Sequence, residues 1–341
     1  MTNHTLATIG WKPWFEDQLT STDLTGKLIA RVSAHHGIAV LMMGDAGEFS
    51  VPIRLAESAG SIAVGDWLVL DAKDHRAVQR LERQTTLSRK APSGDAKPQA
   101  IAANIDTLFI VSSCNEDFNL SRIERYLALA LQAGANPVVV LTKPDLCDDA
   151  EDYRQQAEQL YPGLVVETVN ACVPEAAGVL LKWCGPGQSV ALLGSSGVGK
   201  STLANALGAG DLATGAIREQ DGKGRHTTTA RSLHRLPSGG VLIDNPGVRE
   251  LQLPTCDEGI TNLFDDIVQL MTTCRFSDCG HEDDVGCAVK LALESGQLEA
   301  RRYENYTKLL AEQTLHLQAL EAPQEPDRKA GKKFKSPRGR G

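Results

Sequence analysis

The chain has 341 residues, of which 42% are hydrophobic and 23% charged, as is typical of a soluble globular protein with two or three domains. No apolar run approaches the roughly 20 residues of a membrane-spanning helix, and residues 1–10 lack the pattern of a secretory signal, so we expect a cytoplasmic protein without a membrane partner. The net charge is −8, yet residues 328–341 carry seven basic side chains and no acid.

Five short strands are predicted at 27–35, 38–43, 48–55, 66–70 and 77–81, where Val, Ile and Leu recur between glycines. Five strands within about sixty residues are typical of a small β-barrel of the OB type, a fold that often binds nucleic acid. No aromatic platform for stacking bases is evident. RNA contact by the barrel and simple packing against its neighbours therefore stay equally open.

Strands and helices alternate beyond a linker predicted at 90–99 from its Pro, Gly and Lys content. The predicted strands are 107–112, 137–141, 164–169, 189–193 and 241–243, and the predicted helices are 120–133 (capped by Asn119 or Ser121), 148–160 and 201–207. Such alternation predicts a parallel sheet with helices on both faces. Beyond residue 254 the pattern becomes helical and cysteine-bearing, and it ends in a long charged helix at about 298–320.

A phosphate-binding loop is predicted between the strand at 189–193 and the helix at 201–207, where the chain matches G-x-x-x-x-G-K-[ST]. Its residues are Gly194, Ser195, Ser196, Gly197, Val198, Gly199, Lys200 and Ser201, followed by Thr202. Glycines let the backbone N–H groups point at phosphates. Lys200 would bind the β- and γ-phosphates, and the hydroxyl of Ser201 would bind Mg²⁺. A chance match is the alternative, which the flanking strand and helix argue against.

A guanine site is predicted at the ends of two other strands. Thr142, Lys143, Pro144 and Asp145 resemble the pattern [NT]-K-x-D, and Asn170 and Ala171 end the next strand. The carboxylate of Asp145 can accept both N1–H and N2–H₂ of guanine, donors that adenine lacks, while the stem of Lys143 would stack on the base. The backbone N–H of Ala171 would reach the guanine O6. Taken alone, T-K-x-D is often only a strand-ending turn.

The catalytic candidates lie further along the chain. Asp244 and Gly247 match D-x-x-G, in which the acid would hold Mg²⁺ through water and the glycine N–H would sense the γ-phosphate. Residues 222–229 are Gly-rich and polar and are predicted to form a mobile loop, in which Thr228 or Thr229 would reach the metal. The alternative is a solvated threonine cluster.

The residue that orients the attacking water is not evident from D-x-x-G. Val248 follows Gly247, where Ras-like enzymes carry a glutamine. His226 is the candidate to replace that glutamine, because an imidazole can orient or accept a proton from water near neutral pH. The alternative, that His226 only contacts RNA or solvent, stays equally open.

Three of the eight cysteines cluster with a histidine in one polar stretch. Cys274, Cys279, His281 and Cys287 form C-x4-C-x-H-x5-C, whereas Cys256 lies outside the cluster. Three thiolates and one imidazole fill the tetrahedral shell of a structural Zn²⁺. Reduced core cysteines are the alternative, but these seldom cluster with histidine in a polar segment.

T-K-x-D comes before the phosphate loop, G-R-H-T-T-T and D-x-P-G-V-R-E, whereas in small GTPases the phosphate loop comes first and the base-binding motif last. This order resembles the circularly permuted GTPases of the ribosome small subunit-dependent GTPase A family, over the whole chain. The resemblance implies GTP hydrolysis stimulated by the small ribosomal subunit, a role in late maturation of that subunit, and a zinc site at the four residues named above. Two departures are Asn170, where serine is usual, and Asn245, where serine or threonine is common.

The resemblance implies an α/β chain of four parts. They are an OB-type β-barrel at 1–90, a circularly permuted P-loop GTPase domain at 91–254, a helical zinc-binding domain at 255–322 and a disordered basic tail at 323–341. We expect a monomer whose tail contacts ribosomal RNA. Permutation would also tie Gly247 directly to the zinc domain. The alternatives are a P-loop kinase or ATPase, an RNA-binding module with a vestigial nucleotide site, and an RNA-binding P-loop NTPase with a different ribonucleoprotein target.

Overall fold

The computed structural model describes residues 4–20, 22–45, 47–89, 98–210, 232–244, 256–282 and 284–321. The strands are β1 (Lys27–His36), β2 (Ala39–Gly44), β3 (Gly47–Pro52), β4 (Trp67–Asp71), β5 (Ala77–Arg80), β6 (Thr86–Arg89), β7 (Gln99–Ala103), β8 (Thr107–Ser113), β9 (Asn136–Thr142), β10 (Val165–Val169), β11 (Ser189–Leu193), β12 (Ser232–Arg235) and β13 (Val241–Asp244). The helices are α1 (His4–Ala7), α2 (Pro13–Asp17), α3 (Ile53–Ala56), α4 (Leu120–Ala133), α5 (Ala150–Glu158), α6 (Lys200–Ala206), α7 (Asp257–Leu263), α8 (Asp265–Thr272), α9 (Ala288–Glu294) and α10 (Ala300–Glu321). Among these helices, none is long and apolar enough to cross a membrane.

Five parallel strands form the centre of the molecule, in the spatial order β10-β9-β8-β11-β13. Every residue of β8 and of β11 is buried, as expected for strands that helices cover on both faces. The predicted alternation is therefore confirmed. Of the two candidate caps of α4, Asn119 is the one used: its side chain accepts from the N–H of Arg122, and Gly134, with φ of 74°, ends the helix.

Three segments differ from the expectation. The strand β12 lies outside every predicted strand and runs antiparallel to β13. The prediction of a linker over 90–99 is wrong at its last residue, because β7 begins at Gln99 and pairs with β6. The strand predicted at 48–55 ends earlier, at Pro52, and Ile53–Ala56 form α3 instead. Proline has no N–H with which to continue a ladder, which explains the early end.

The N-terminal β-region, β1 to β5, is an antiparallel sheet in the order β3-β2-β1-β4-β5 and confirms the five predicted strands. Successive residues of β4 face two different cores. Leu68 and Leu70 pack with the other strands of this region, whereas Trp67 and Val69 pack with the N-terminal helices and the parallel sheet. The pairing of β1 with β12, through Ala34, joins the region to the parallel sheet.

A fully buried arginine strengthens the same junction. The guanidinium of Arg31 donates to the main-chain oxygens of Ile9, Gly65 and Asn104 and to Oγ of Ser189, the first residue of β11. Burial lowers the pKa of Arg31 to about 10, although nearby carboxylates oppose the shift, so the side chain is charged at neutral pH. Its charge is thus solvated by carbonyl and hydroxyl oxygens drawn from both regions.

A buried carboxylate joins the parallel sheet to the C-terminal helices. Glu124 of α4 is fully buried. It accepts from Nη1 of Arg301 at 2.9 Å, from Nη1 of Arg302 at 3.0 Å and from Nδ2 of Asn305 at 2.7 Å, all on α10. Each of these partners satisfies part of a charge that would otherwise be costly to bury. The first turn of α10 is therefore fixed on α4.

Candidate functional site

The phosphate loop connects β11 to α6 at the carboxyl edge of the parallel sheet. Gly194 lies so close to β8 that a Cβ there would be 2.2 Å from the main-chain oxygen of Val111. Gly199 has φ of 95° and directly precedes α6. A side chain would clash with β8 at position 194 and would strain the left-handed backbone at position 199, so both glycines fix the path of the loop. Nζ of Lys200 donates to the main-chain oxygens of Gly194, at 2.9 Å, and Ser195.

The remaining residues of the loop differ in exposure. Ser196, Gly197 and Ser201 are exposed, Thr202 is half-buried, and Val198 is buried in the core. The hydroxyl of Ser201 thus belongs to the accessible start of α6, and the side chain of Val198 anchors the loop to the sheet below it.

The residues after β9 hold the phosphate loop from the side. Oγ1 of Thr142 lies 2.5 Å from the main-chain oxygen of Val198, and Nζ of Lys143 donates to the main-chain oxygen of Gly197 at 2.7 Å. Lys143 has φ of 58°, a left-handed conformation that costs a non-glycine residue about 1 kcal/mol. These contacts join segments 54 and 56 residues apart in the chain. The segment predicted to bind guanine therefore lies against the phosphate loop.

Asp145 is available to a ligand at this site. It lies in the 3-10 turn Pro144–Leu146, which begins directly after Lys143. Its carboxylate is exposed, and in the described ranges it has no hydrogen-bond or ion-pair partner. A carboxylate in this state can accept two donors from a bound base.

The strand β10, beside β9, brings the other two residues predicted to bind guanine, Asn170 and Ala171, to the same edge of the sheet. Asn170 follows β10, and its Oδ1 accepts from the N–H of Cys172 at 3.0 Å. The main-chain oxygen of Asn170 accepts from the N–H of Val173. The asparagine therefore supports the turn locally, as serine could. Ala171, between these residues, is 9% exposed.

Of the predicted catalytic residues, Lys200 and Asp244 are described. Asp244 is the last residue of β13, the neighbour of β11, and is half-buried at the edge that carries the phosphate loop. His226, Thr228, Thr229 and Gly247 lie outside the described residues, as does the basic tail. Their predicted roles stay predictions.

The spatial order of these segments differs from their order in the chain. Along the sheet the segments run from Ala171 through Asp145 and the phosphate loop to Asp244, because the strands lie in the order β10-β9-β8-β11-β13. Ligands bind at the carboxyl ends of parallel strands whatever the order in which the chain visits them. A base-binding motif that comes before the phosphate loop in the chain is thus compatible with one nucleotide pocket.

One contact to the phosphate loop has no counterpart among the predicted site residues. Nη1 of Arg122, in the first turn of α4, donates to Oγ of Ser195 at 3.0 Å. The sequence around Arg122 contains no motif, and a charged residue near a helix start is ordinarily a solvent-facing one. No sequence signal could have identified it.

A candidate metal centre lies between α8 and α9. The ligand atoms of Cys274, Cys279, His281 and Cys287 all lie within 4.8 Å of one another. Nδ1 of His281 is 3.6 Å from Sγ of Cys274 and 3.6 Å from Sγ of Cys287. A tetrahedral site with metal–sulfur bonds of about 2.3 Å and metal–nitrogen bonds of about 2.0 Å has edges of about 3.5 Å. The two sulfur–nitrogen distances match such an edge, and all four ligand atoms lie close enough together to share one metal ion. The buried Cys256 instead donates to the main-chain oxygen of Ala128.

Comparison with known proteins agrees with this geometry. The sequence profile of the RsgA GTPase family matches residues 80–254, which include every part of the nucleotide site. The chain belongs to the RsgA GTPase family. A relative from Vibrio parahaemolyticus, named small ribosomal subunit biogenesis GTPase RsgA 2, is 49% identical over 332 residues, covering 97% of this chain and 92% of the relative. The RsgA of Mesorhizobium japonicum is 46% identical over 341 residues, covering 98% of this chain and 95% of the relative.

Solved structures share the fold of this RsgA-family chain. The crystal structure of YjeQ from Thermotoga maritima matches with a TM-score of 0.60 and 25% identity, over 84% of this chain and 99% of that one. YloQ, described as a circularly permuted GTPase, matches with a TM-score of 0.59 and 23% identity, over 84% of this chain and 95% of that one. The predicted family and the circularly permuted fold are therefore confirmed.

Proposed function

We propose that this GTPase binds the small ribosomal subunit in the cytoplasm, contacts its rRNA, and hydrolyses GTP to GDP and phosphate in a late step of the subunit's assembly. The contacts of Thr142 and Lys143 with the phosphate loop are the observation that supports the nucleotide part, because they join the proposed guanine-binding segment to that loop. The names of the Vibrio and Mesorhizobium relatives support the ribosomal part.

The guanine base is held by the ends of β9 and β10. The exposed carboxylate of Asp145 accepts N1–H and N2–H₂, and the N–H of Ala171 donates to O6. The stem of Lys143 covers one face of the base while its ammonium holds the loop at Gly197. Asn170 keeps the second turn in shape through its bond to Cys172. Adenine offers no donors to Asp145, so the site selects guanine.

The phosphates lie on the loop between β11 and α6. The ammonium of Lys200 binds the β- and γ-phosphates, and the loop N–H groups surround them. Ser201 and Asp244 offer a hydroxyl and a carboxylate, the hard oxygen donors that suit Mg²⁺. When bound, Mg²⁺ neutralises phosphate charge. From the sequence, the N–H of Gly247 would sense the γ-phosphate and Thr228 or Thr229 would reach the metal, although these residues lie outside the described part of the chain.

His226 orients the attacking water, since Val248 cannot. This assignment rests on the sequence alone and is tested by His226→Ala. Slower hydrolysis with unchanged GTP affinity supports it. A variant with normal turnover in the presence of small subunits contradicts it.

The metal of the cluster is Zn²⁺ in a structural role. Three thiolates and one imidazole are the ligand set of closed zinc sites, and they leave no position open for catalysis. The hydrogen bond from the N–H of Lys290 to Sγ of Cys287, at 3.3 Å, helps to stabilise a thiolate at the start of α9. A bound Zn²⁺ would hold the chain after α8 against the start of α9.

The proposed function is tested by GTP turnover measured with and without purified small ribosomal subunits. We expect slow turnover by the protein alone and stimulation by small subunits, with large subunits and ATP as matched controls. Equal turnover with and without small subunits would remove the ribosomal partner. Turnover of ATP as fast as that of GTP would remove the guanine site.

A further inference from the structure

The first turn of α4 places a guanidinium on the phosphate loop. Nη1 of Arg122 donates to Oγ of Ser195 at 3.0 Å and lies 3.5 Å from the main-chain oxygen of Asp117. The backbone of Arg122 is itself fixed, because its N–H donates to Oδ1 of the cap residue Asn119 at 2.9 Å. The guanidinium is thus presented by the capped end of a 14-residue helix, not by a loop.

The side chain of Arg122 is exposed, and in the described part of the chain it has no acidic partner. Another cation of the same helix differs in this respect. Arg125 pairs with Glu312 of α10 at 2.6 Å. A cation that lies beside a phosphate-binding loop and has no acidic partner makes the electrostatic potential there more positive, and so attracts an anion. Arg125 contributes little to that potential, because Glu312 cancels its charge.

The contact between α4 and the loop is closely packed. The cavity between them has a volume of about 10 Å³ and is lined by residues that include Asp117, Asn119, Arg122, Ser195 and Val198. Such a volume holds about one water molecule. Arg122 and Ser195 therefore line the same small cavity beside the phosphate loop.

We propose that Arg122 is a further positioning residue for the nucleotide, acting through Ser195. Three cations then hold three parts of the loop: Lys200 at Gly194, Lys143 at Gly197, and Arg122 at the side chain of Ser195. By fixing the second residue of the loop, Arg122 holds its N–H groups in the conformation that binds phosphate. The inference rests on the proposed binding of GTP.

The test uses the full-length protein and compares Arg122→Gln with Arg125→Gln, which removes a cation from the same helix away from the loop. Affinities for GTP and GDP are measured with fluorescent analogues, and KM and kcat are measured with small subunits. We expect Arg122→Gln to weaken GTP binding about fivefold, or about 1 kcal/mol. GDP binding weakens less because GDP carries less charge, KM rises, and kcat stays within about twofold. Arg122→Lys recovers part of the affinity, since it keeps the charge.

A double-mutant cycle shows whether the effect passes through Ser195. Ser195→Ala removes the acceptor, so adding Arg122→Gln to it should cost less GTP affinity than Arg122→Gln costs alone. Wild-type GTP affinity in Arg122→Gln, an equal loss in Arg125→Gln, or full additivity with Ser195→Ala would overturn the proposal. Failure of the wild-type protein to bind GTP would instead overturn the proposed function.

Discussion

The nucleotide site and the metal cluster are assembled in opposite ways. The nucleotide site uses the ends of parallel strands in residues 107–244, and its parts meet only because the sheet places β9 and β10 on one side of β11 and β13 on the other. The metal cluster uses the fourteen residues from Cys274 to Cys287. A site made from distant strand ends depends on the whole sheet, whereas a cluster within one loop depends mainly on its ion.

The two sites are joined through α4. Its first turn contacts the phosphate loop through Arg122, and the buried Glu124 of the same helix fixes α10, which comes after the metal cluster and α9 in the chain. Because the two sites use different residues, each can be disturbed separately. The junction formed by Glu124 and α10 can likewise be disturbed without changing a residue of either site. The predictions below use this separation.

The largest effect is expected at the phosphate loop. Lys200→Ala removes the ammonium proposed to bind the β- and γ-phosphates, and we expect kcat/KM for GTP to fall at least about a hundredfold, equivalent to about 2.7 kcal/mol. Metal content, measured on the same sample, should be unchanged. Hydrolysis within about tenfold of wild type would contradict the role of Lys200, and loss of metal would contradict the independence of the two sites.

The next effect concerns the junction. Glu124→Gln leaves the guanidinium groups of Arg301 and Arg302 without their buried carboxylate, and we expect the free energy of unfolding in urea to fall by about 3 kcal/mol. Glu312→Gln is the matched control, because the side chain of Glu312 is 37% exposed where it pairs with Arg125. That change should cost less than about 1 kcal/mol. Equal losses in the two variants would show that burial does not distinguish the pairs.

The smallest effect tests the independence of the sites from the other direction. Removing the metal with a chelator should increase hydrogen exchange in α8 and α9 while changing GTP affinity less than about twofold, because metal binding stabilises the fold locally. Cys279→Ser should reproduce the result, and Cys172→Ser, which changes an exposed cysteine outside the cluster, should keep the metal. A chelator that weakened GTP binding strongly would show that the cluster supports the nucleotide site.

Much of the nucleotide edge was predictable because strand ends are marked locally. The apolar runs of β8 and β11, and the helical spacing of α4 with a candidate cap at Asn119 or Ser121, predict these elements within one or two residues. The four metal ligands are likewise close in sequence. In each case the signal lies in neighbouring residues, so no knowledge of distant contacts is needed.

The junctions were not predictable, because their partners are distant and leave no pattern. Arg31 is solvated mainly by main-chain oxygens, which every residue carries. Glu124 reads as the polar face of a helix, yet its partners on α10 lie 177 to 181 residues away. The four-residue β12 is too short to show alternation and is stabilised by its pairing with β13. Tertiary contacts therefore decide these features.

The central claim is that separate strand ends form one guanine nucleotide pocket. It is tested most directly by competition of GTP, XTP and ATP for the wild-type protein and for Asp145→Asn. We predict that the wild type prefers GTP over ATP by at least about a hundredfold, because adenine lacks the two donors that the carboxylate of Asp145 would accept, and that Asp145→Asn prefers XTP. Unchanged guanine selectivity in Asp145→Asn would contradict the claim.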